Sequence, residues 1–325
     1  MEKRLYSVGV WAFGSCSDRF CEAGYHEGRT FKEKVECASK VKGLSGIEIH
    51  YNGDFTKANA EETRKIIQDA GLRVSAINCE TFGNRIFAKG ALTSTDSKIR
   101  QSAIDIVKAA GEMTEYFDAS LVNLWPGADG FDYSFQIDFV REYELLMDSI
   151  RQITEANPKV KYSLEYKLRE PRMRSTIGTA CKALAVTNEI SKENLGVTLD
   201  FGHSIAAKES PAEAAAFLSR YNKLFHVHLN DNTRDWDDDL ITASYHLWET
   251  LEFLYYLKKC NYNGWIGFDM SPWREDQIKA VEHSIEIVEK MFGYVDEIDD
   301  EELSEALKDT NALRSHRLLW DKLFK

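Results

Sequence analysis

Short apolar runs rich in Val, Ile and aromatic residues recur along the chain as LYSVGVW, GIEIH, LRVSAIN, SLVNLW, KYSLEY, LGVTLD, LFHVHL and WIGFDM. They predict eight strands. Between them lie stretches with helical periodicity, such as AEETRKIIQDAG, SKIRQSAIDIVKAAGEM, FVREYELLMDSIRQITEA and TASYHLWETLEFLYYLKKC, several entered through Ser, Thr or Asp caps. The pattern is a strand–helix unit repeated eight times. Such units cross over right-handed, and eight of them can close with no exposed sheet edge. The expected fold class is therefore α/β, a (β/α)8 TIM barrel over residues 1–293 with a short helical C-terminal extension over 294–325. A doubly wound open sheet is the rival. It announces itself with a glycine-rich phosphate loop after its first strand, and VWAFGSCSD is not one. The extension is acidic and then basic, suited to lie on its own barrel or to form a subunit contact.

Composition adds exclusions. With 325 residues, 43% apolar and 29% charged, the chain has ordinary globular proportions. Its 53 acidic against 41 basic residues give a formal charge of −12, which repels phosphodiester backbones and anionic lipid. Neither nucleic acid nor membrane is an expected partner. The six cysteines, at 16, 21, 37, 79, 181 and 260, show no CxxC pairing, and the opening MEKRLYSVGVWAFGS lacks the apolar stretch of a signal peptide. A reduced, cytoplasmic location is expected.

In a barrel, functional groups gather at the carboxyl ends of strands. Strand two ends in His50, strand four in Trp125 and strand five in Glu165 with Lys167 two residues on. Strand six ends in Asp200 with His203, strand seven in His228 and strand eight in Asp269. Singly, each could cap a helix or satisfy a backbone carbonyl. Converging on one mouth, such carboxylates and imidazoles are stable only if a cation compensates them. After strand seven, HVHLNDNTRDWDDDL carries Asp237, Asp238 and Asp239; the alternate members Asp237 and Asp239 would point the same way. A second metal beside the first follows, with Asp200 bridging.

These residues resemble the xylose isomerases and the related L-rhamnose isomerases, in order along most of the barrel. GVWAFG is similar to the family's first strand with its active-site tryptophan, here Trp11, and IEIH to the segment with the ring-opening histidine, here His50. TFGNRIFAKGALTS resembles the loop whose aromatic lines the sugar pocket, here Phe82, and NLWPGADG the tryptophan–glycine loop, here Trp125. EYKLREP resembles the family's strand five: metal ligand Glu165, substrate-polarising Lys167, then Glu170 and Pro171. DFGH implies a bridging Asp200 and a second-metal ligand His203. LFHVHLND with WDDDL implies His228 on the first metal with Asp237 and Asp239 on the second, and FDMSP implies Asp269 closing the first.

Three departures stand out. His228 occupies a position where xylose isomerases have a carboxylate, and Asp200 replaces their bridging glutamate, which is nearer the rhamnose isomerase pattern. The carboxylate that orients the ring-opening histidine belongs three residues after His50, where this chain has Gly53 and then Asp54. The family's long carboxyl-terminal arm is much shorter here.

The resemblance implies one or two divalent metals per chain, Mn²⁺ favoured over Co²⁺ or Mg²⁺ by the softer ligand set. It implies a small-molecule sugar substrate and a homo-oligomer, dimer or tetramer. The implied reaction is aldose–ketose isomerisation by hydride shift between C1 and C2 of a pentose or (deoxy)hexose, with Lys167, His50 and Glu165 as catalytic groups. Trp11, Phe82, Trp125, Lys167 and His203 would contact the sugar. Ketose 3-epimerases on this barrel use a pair of glutamates instead, and the strand-eight member here is Asp269. A metal-dependent epimerase or lyase, including one cleaving C-glycosides, is the alternative. An abasic-site endonuclease would need a basic face, and for a metal-bound sugar sensor Lys167 beside the cation makes little sense.

Overall fold

Eight parallel strands close into a barrel in a computed structural model that describes residues 4–170, 173–308 and 310–323. They are β1 (Leu5–Gly9), β2 (Gly46–Tyr51), β3 (Arg73–Cys79), β4 (Leu121–Leu124), β5 (Tyr162–Glu165), β6 (Leu195–Asp200), β7 (Leu224–Leu229) and β8 (Trp265–Phe268). Each pairs with its neighbours in sequence, and β8 pairs with β1, so the expected TIM barrel is the fold observed. Outside it run α1 (Phe31–Ala38), α2 (Ala60–Asp69), α3 (Ser97–Phe117), α4 (Phe139–Ala156) and α5 (Ala180–Ile190). They continue as α6 (Phe201–Ala206), α7 (Pro211–Arg220), α8 (Leu247–Lys259) and α9 (Gln277–Asp296). The caps are side chains of the expected kinds: Asp96, Asp138 and Asp276 open α3, α4 and α9, and Thr30, Thr179 and Ser210 open α1, α5 and α7.

Period-two alternation separates two environments. Ile47, Ile49, Val122, Leu164, Leu199 and Val227 are buried toward the helices, while the intervening Glu48, Asn123, Ser163, Thr198 and His226 are buried inside the barrel. The interior is thus polar toward its carboxyl end.

One helix starts later than its periodicity implies. The TASYH segment precedes α8 as a loop: Ala243 has φ +61°, and the Asp231 carboxylate captures the backbone N–H groups of Tyr245 (2.7 Å) and His246 (2.9 Å) and the His246 ring (2.6 Å). A buried carboxylate with three such partners outweighs the modest helical preference of these residues.

After α9, the chain continues as α10 (Asp300–Leu307) and α11 (Ala312–Leu323). Trp248 of α8 stacks on His316 and Trp320 of α11 at centroid distances of 5.4 and 6.2 Å, so the extension lies on its own barrel. The six cysteines are free thiols. No helix among the described residues is long and apolar enough to cross a membrane.

Two features build the mouth. Short antiparallel strands at Gly130–Phe131, Arg169–Glu170 and Met173–Ser175 form a flap from the loops after β4 and β5. The loops after β3 and β4 are joined by Asp129, which is fully buried and accepts from the backbone N–H groups of Ala91 (2.8 Å), Leu92 (3.2 Å) and Thr93 (2.9 Å) and from the Thr93 hydroxyl (2.7 Å). Asp129→Ala leaves those N–H groups buried and unpaired, so a stability loss of about 3–5 kcal/mol is expected in urea unfolding. A loss below about 1 kcal/mol would show that the cradle does not hold the loops together.

Candidate metal and active site

Strand register decides which groups meet. His228 lies beside Asp200 on β6 and beside Gly267 on β8. Glu165, Asp200, His228 and Asp269 each direct one ligand atom to a shared point, with these atoms within 4.8 Å of one another. Asp200, His203 and Asp237 make a second group of the same compactness, sharing Asp200. Asp239 faces the same cavity, where Asn230 Nδ2 (3.5 Å) and Ser271 Oγ (3.3 Å) donate to it, but its carboxylate stands outside both compact groups. Asp238 between them caps Thr233 N–H at 2.9 Å.

The cavity above these groups measures about 530 Å³. Phe82 and Trp125 meet at 4.4 Å between centroids, and the His50 ring lies 4.7 Å from Trp11 and 6.1 Å from Phe82. Trp11 also makes a polar contact: its indole N–H donates to Asp269 Oδ1 at 2.7 Å. Lys167 Nζ sits 2.8 Å from Asp237 Oδ2, pairs with Glu170 and lies 5.0 Å from the Trp125 ring centre. Pro171, singled out beside Glu170, is outside the described residues. Gly53 stands where the resemblance calls for a carboxylate; the next residue, Asp54, has Oδ2 3.8 Å from His50 Nδ1 and accepts the His50 backbone N–H at 2.9 Å. Gly53 has its own use: a Cβ there would come within 2.9 Å of Glu80 Oε1.

Sequence reasoning missed the floor of this site. Glu48 accepts from Asn78 Nδ2 (3.0 Å) and lies 2.8 Å from His226 Nε2 and 3.1 Å from His228 Nε2. His228 Nδ1 in turn lies 3.2 Å from Glu165 Oε1, so the same imidazole joins Glu48 below to the ligand group above. Asn123 Nδ2 donates to Glu165 Oε2 (2.7 Å) and Asn78 Oδ1 (2.8 Å). Thr198 Oγ1 lies 2.7 Å from both Asn123 Oδ1 and Ser163 Oγ. Gly267 makes room, since a Cβ there would fall 2.5 Å from Glu48 Oε1. The signal was present as alternation: Glu48 is two residues before His50, and His226 two before His228, hence on the same inward faces. Glu80, which lines the mouth near His50, had no such signal.

The electrostatics describe a site short of positive charge. Burial, with the neighbouring Asp237 and Glu165, pushes Asp200 up to about 7 against the pull of His203. Burial with Asp237 and Asp269 drives Asp239 well above the carboxylate range, and burial with Glu165 and Asp237 raises Asp269. Burial disfavours charged His203, yet Asp200 and Asp237 hold it up at about 9. Burial likewise opposes charge on His228 and Lys167, but the carboxylates facing them win and raise both well above their ordinary values. Burial would raise Glu165; His228, His203 and the Asn123 amide outweigh it and hold it at about 2. Among the described residues, buried His203 Nδ1 and Asp237 Oδ1 have no hydrogen-bond partner. Carboxylates and imidazoles crowded about two points are a donor set suited to divalent cations, which would displace the imidazole protons on binding.

Residues 36–291 match the family model described as "Xylose isomerase-like TIM barrel". The chain is 26% identical over 295 residues to a xylose isomerase of Thermus thermophilus, covering 85% of this chain and 75% of that protein. It is 25% identical over 284 residues to a probable sugar isomerase of Mesorhizobium japonicum, covering 83% of this chain but only 64% of that one. Among solved structures, a D-psicose 3-epimerase superposes with a TM-score of 0.70 at 15% identity, covering 89% of this chain and 99% of the other. A D-tagatose 3-epimerase-like protein gives a TM-score of 0.69 at 20% identity, covering 90% and 98%. At these identities the structural likeness is one of fold.

Two outcomes follow from this geometry. Glu48→Gln removes the carboxylate that orients His228 from behind, so Mn²⁺ affinity measured by calorimetry should fall by about 10–100-fold with the fold intact. Undiminished affinity would separate Glu48 from the ligand group. The second concerns protons. Below about 7 for Asp200 and about 9 for His203 these groups hold protons that a cation must displace. Mn²⁺ affinity should therefore rise with pH across that window, and titrations in buffers of different ionisation enthalpy should register proton release. Affinity independent of pH there would contradict the charge balance described.

Proposed function

The chain belongs to the xylose isomerase-like TIM-barrel family, and from that premise we propose that it is a metal-dependent aldose–ketose isomerase acting on a pentose or (deoxy)hexose. One observation carries the reading: two carboxylate–imidazole groups sharing Asp200 open into a single cavity with the Lys167 ammonium beside them. The first cation would be held by Glu165, Asp200, His228 and Asp269, and a second by Asp200, His203 and Asp237 with Asp239 at hand. Mn²⁺ is the favoured ion, with Co²⁺ and Mg²⁺ as alternatives. Bound cations supply Lewis-acid polarisation of the sugar's adjacent C1 and C2 oxygens.

The side chains divide the remaining work. Lys167, kept protonated despite burial by Asp237, Glu170 and Asp239, offers its N–H donors to a substrate oxygen as negative charge develops there during hydride shift. His50, with Asp54 beside Nδ1, is placed to move the proton of ring opening. Trp11, Phe82 and Trp125 present apolar faces to the sugar's C–H side and keep water from the reacting carbons. Asp269 accepts the Trp11 indole N–H, which leaves it ill suited to serve as the free base that epimerisation needs on the opposite face. Glu80 is the observation that favours the second reading, proton-transfer epimerisation: burial raises it from its ordinary value, opposed by His50, and it faces the cavity.

An aldose labelled with deuterium at C2 separates the two. Retention of the label at C1 of the ketose is expected, and complete washout into solvent on each turnover would replace hydride shift by proton transfer. Lys167→Met should lower kcat by roughly 10²–10³ with bound metal unchanged. A parallel loss of metal would instead make Lys167 part of the binding site's charge balance.

A further inference from the structure

A second cavity, of about 490 Å³, adjoins the first across the Lys167–Asp237 ion pair, which contributes to the lining of both. Arg169, Arg174, Lys182 and Lys208 line it. In a chain of formal charge −12 this is a local reversal of sign. Among the described residues none of the four has a carboxylate partner. Arg169 donates to the Asp235 backbone carbonyl (3.3 Å) and Lys208 to that of Arg234 (3.2 Å), which leaves most of their N–H groups to solvent. Arg234 also lines the cavity but is committed elsewhere, to Glu249 and to His246 Nε2 (2.8 Å). Asp235 is the one further carboxylate in the lining.

A solvated basic surface would be the ordinary explanation, but the local structure argues against it. Arg169 and Arg174 are direct cross-strand partners in the antiparallel flap, a like-charge pairing that destabilises a hairpin. Lys182 stands in the first turn of α5, at the end of a helix that disfavours cations. Three of the four cations therefore sit where secondary structure penalises them, and they converge on one concavity at the carboxyl face of the barrel. Concave walls concentrate such a field, and guanidinium groups bind phosphoryl or carboxylate oxygens through paired hydrogen bonds.

We propose that this cavity receives an oxyanion, phosphoryl or carboxylate, carried by the sugar at the end remote from the reacting carbons. The inference rests on the sugar-isomerase reading of the neighbouring site and narrows its substrate class. The reacting end would lie over the carboxylate–imidazole groups, and the charged end would pass the Lys167–Asp237 pair to reach the flap.

The test is calorimetric binding to the Mn²⁺-loaded full chain at about 0.15 M salt, where distant surface charge is screened. The probes are D-ribulose, D-ribulose 5-phosphate and D-glucuronate. The phosphorylated or the carboxylated sugar should bind roughly thirtyfold tighter than the neutral one, and which of them does identifies the anion. Arg174→Met/Lys182→Met should erase most of that advantage, leave D-ribulose binding and metal content unchanged, and unfold at the same or higher urea because two penalised cations are gone. Arg169→Met/Lys208→Met gives an independent second variant. Equal affinity for charged and neutral sugars, absence of binding by both charged probes, or an advantage that survives both variants overturns the proposal. Sugar interconversion is scored separately: charge-dependent binding with no metal-dependent turnover of any probe would sink the isomerase reading and leave the anion site standing.

Discussion

Burying carboxylates together at the mouth of a barrel is the constraint on which this structure turns. Each ion removed from water costs several kcal/mol unless opposite charge or N–H donors meet it. The chain answers from below with a hydrogen-bonded path that crosses the barrel interior. Ser163, Thr198 and Asn123 lead to Glu165 on one side, and Asn123 and Asn78 lead to Glu48 on the other. Glu48 and Glu165 then hold His228 between them. Every strand contributing to this path does so through an inward position that in an ordinary core would be aliphatic. Gly267 gives up its side chain so that Glu48 and the two histidines can approach one another.

The support from below is matched by restraint from the side. Trp11 fastens Asp269 and Asn230 donates to Asp200, so these carboxylates are held from outside the candidate ligand groups themselves. Asp129 ties the loops bearing Phe82 and Trp125 to a common point. Strand ends thus carry Glu165, Asp200, His228 and Asp269, and loops carry Lys167, Asp237, Asp239, the aromatic side chains and the flap. That division is the usual one in barrels, where loops vary the chemistry over a fixed frame. The unusual element is the change of sign across the Lys167–Asp237 pair, from an anionic mouth to a cationic neighbour.

Much of this was legible in the chain before any coordinates. The eight strand runs and their caps follow from local physics, and so does the set Glu165, Asp200, His228 and Asp269, because strand ends in a barrel share one mouth. Glu48 and His226 were equally available through alternation, but a polar residue two positions inside a strand end reads as incidental until its partner on another strand is known. Asp54 could be seen one place away from an empty position; only the turn after β2 brings its carboxylate beside His50. The early part of the α8 segment misled because a helical pattern was overruled by Asp231, which is remote enough in sequence that no local rule could anticipate it.

The sequence by itself determined the barrel, the strand ends that bear metal-type ligands, and the aromatic and lysine residues around them. These depend on periodicity and composition, which act within a few residues. Tertiary structure alone decided which imidazole nitrogen faces which carboxylate, that His228 is shared between floor and mouth, and that four cations from three separate segments, none with a carboxylate partner among the described residues, line one cavity. The reason is range: hydrogen bonds and charge pairing act over a few ångströms in space between residues as distant in the chain as Glu48 and His226, and only closure of the barrel sets those distances.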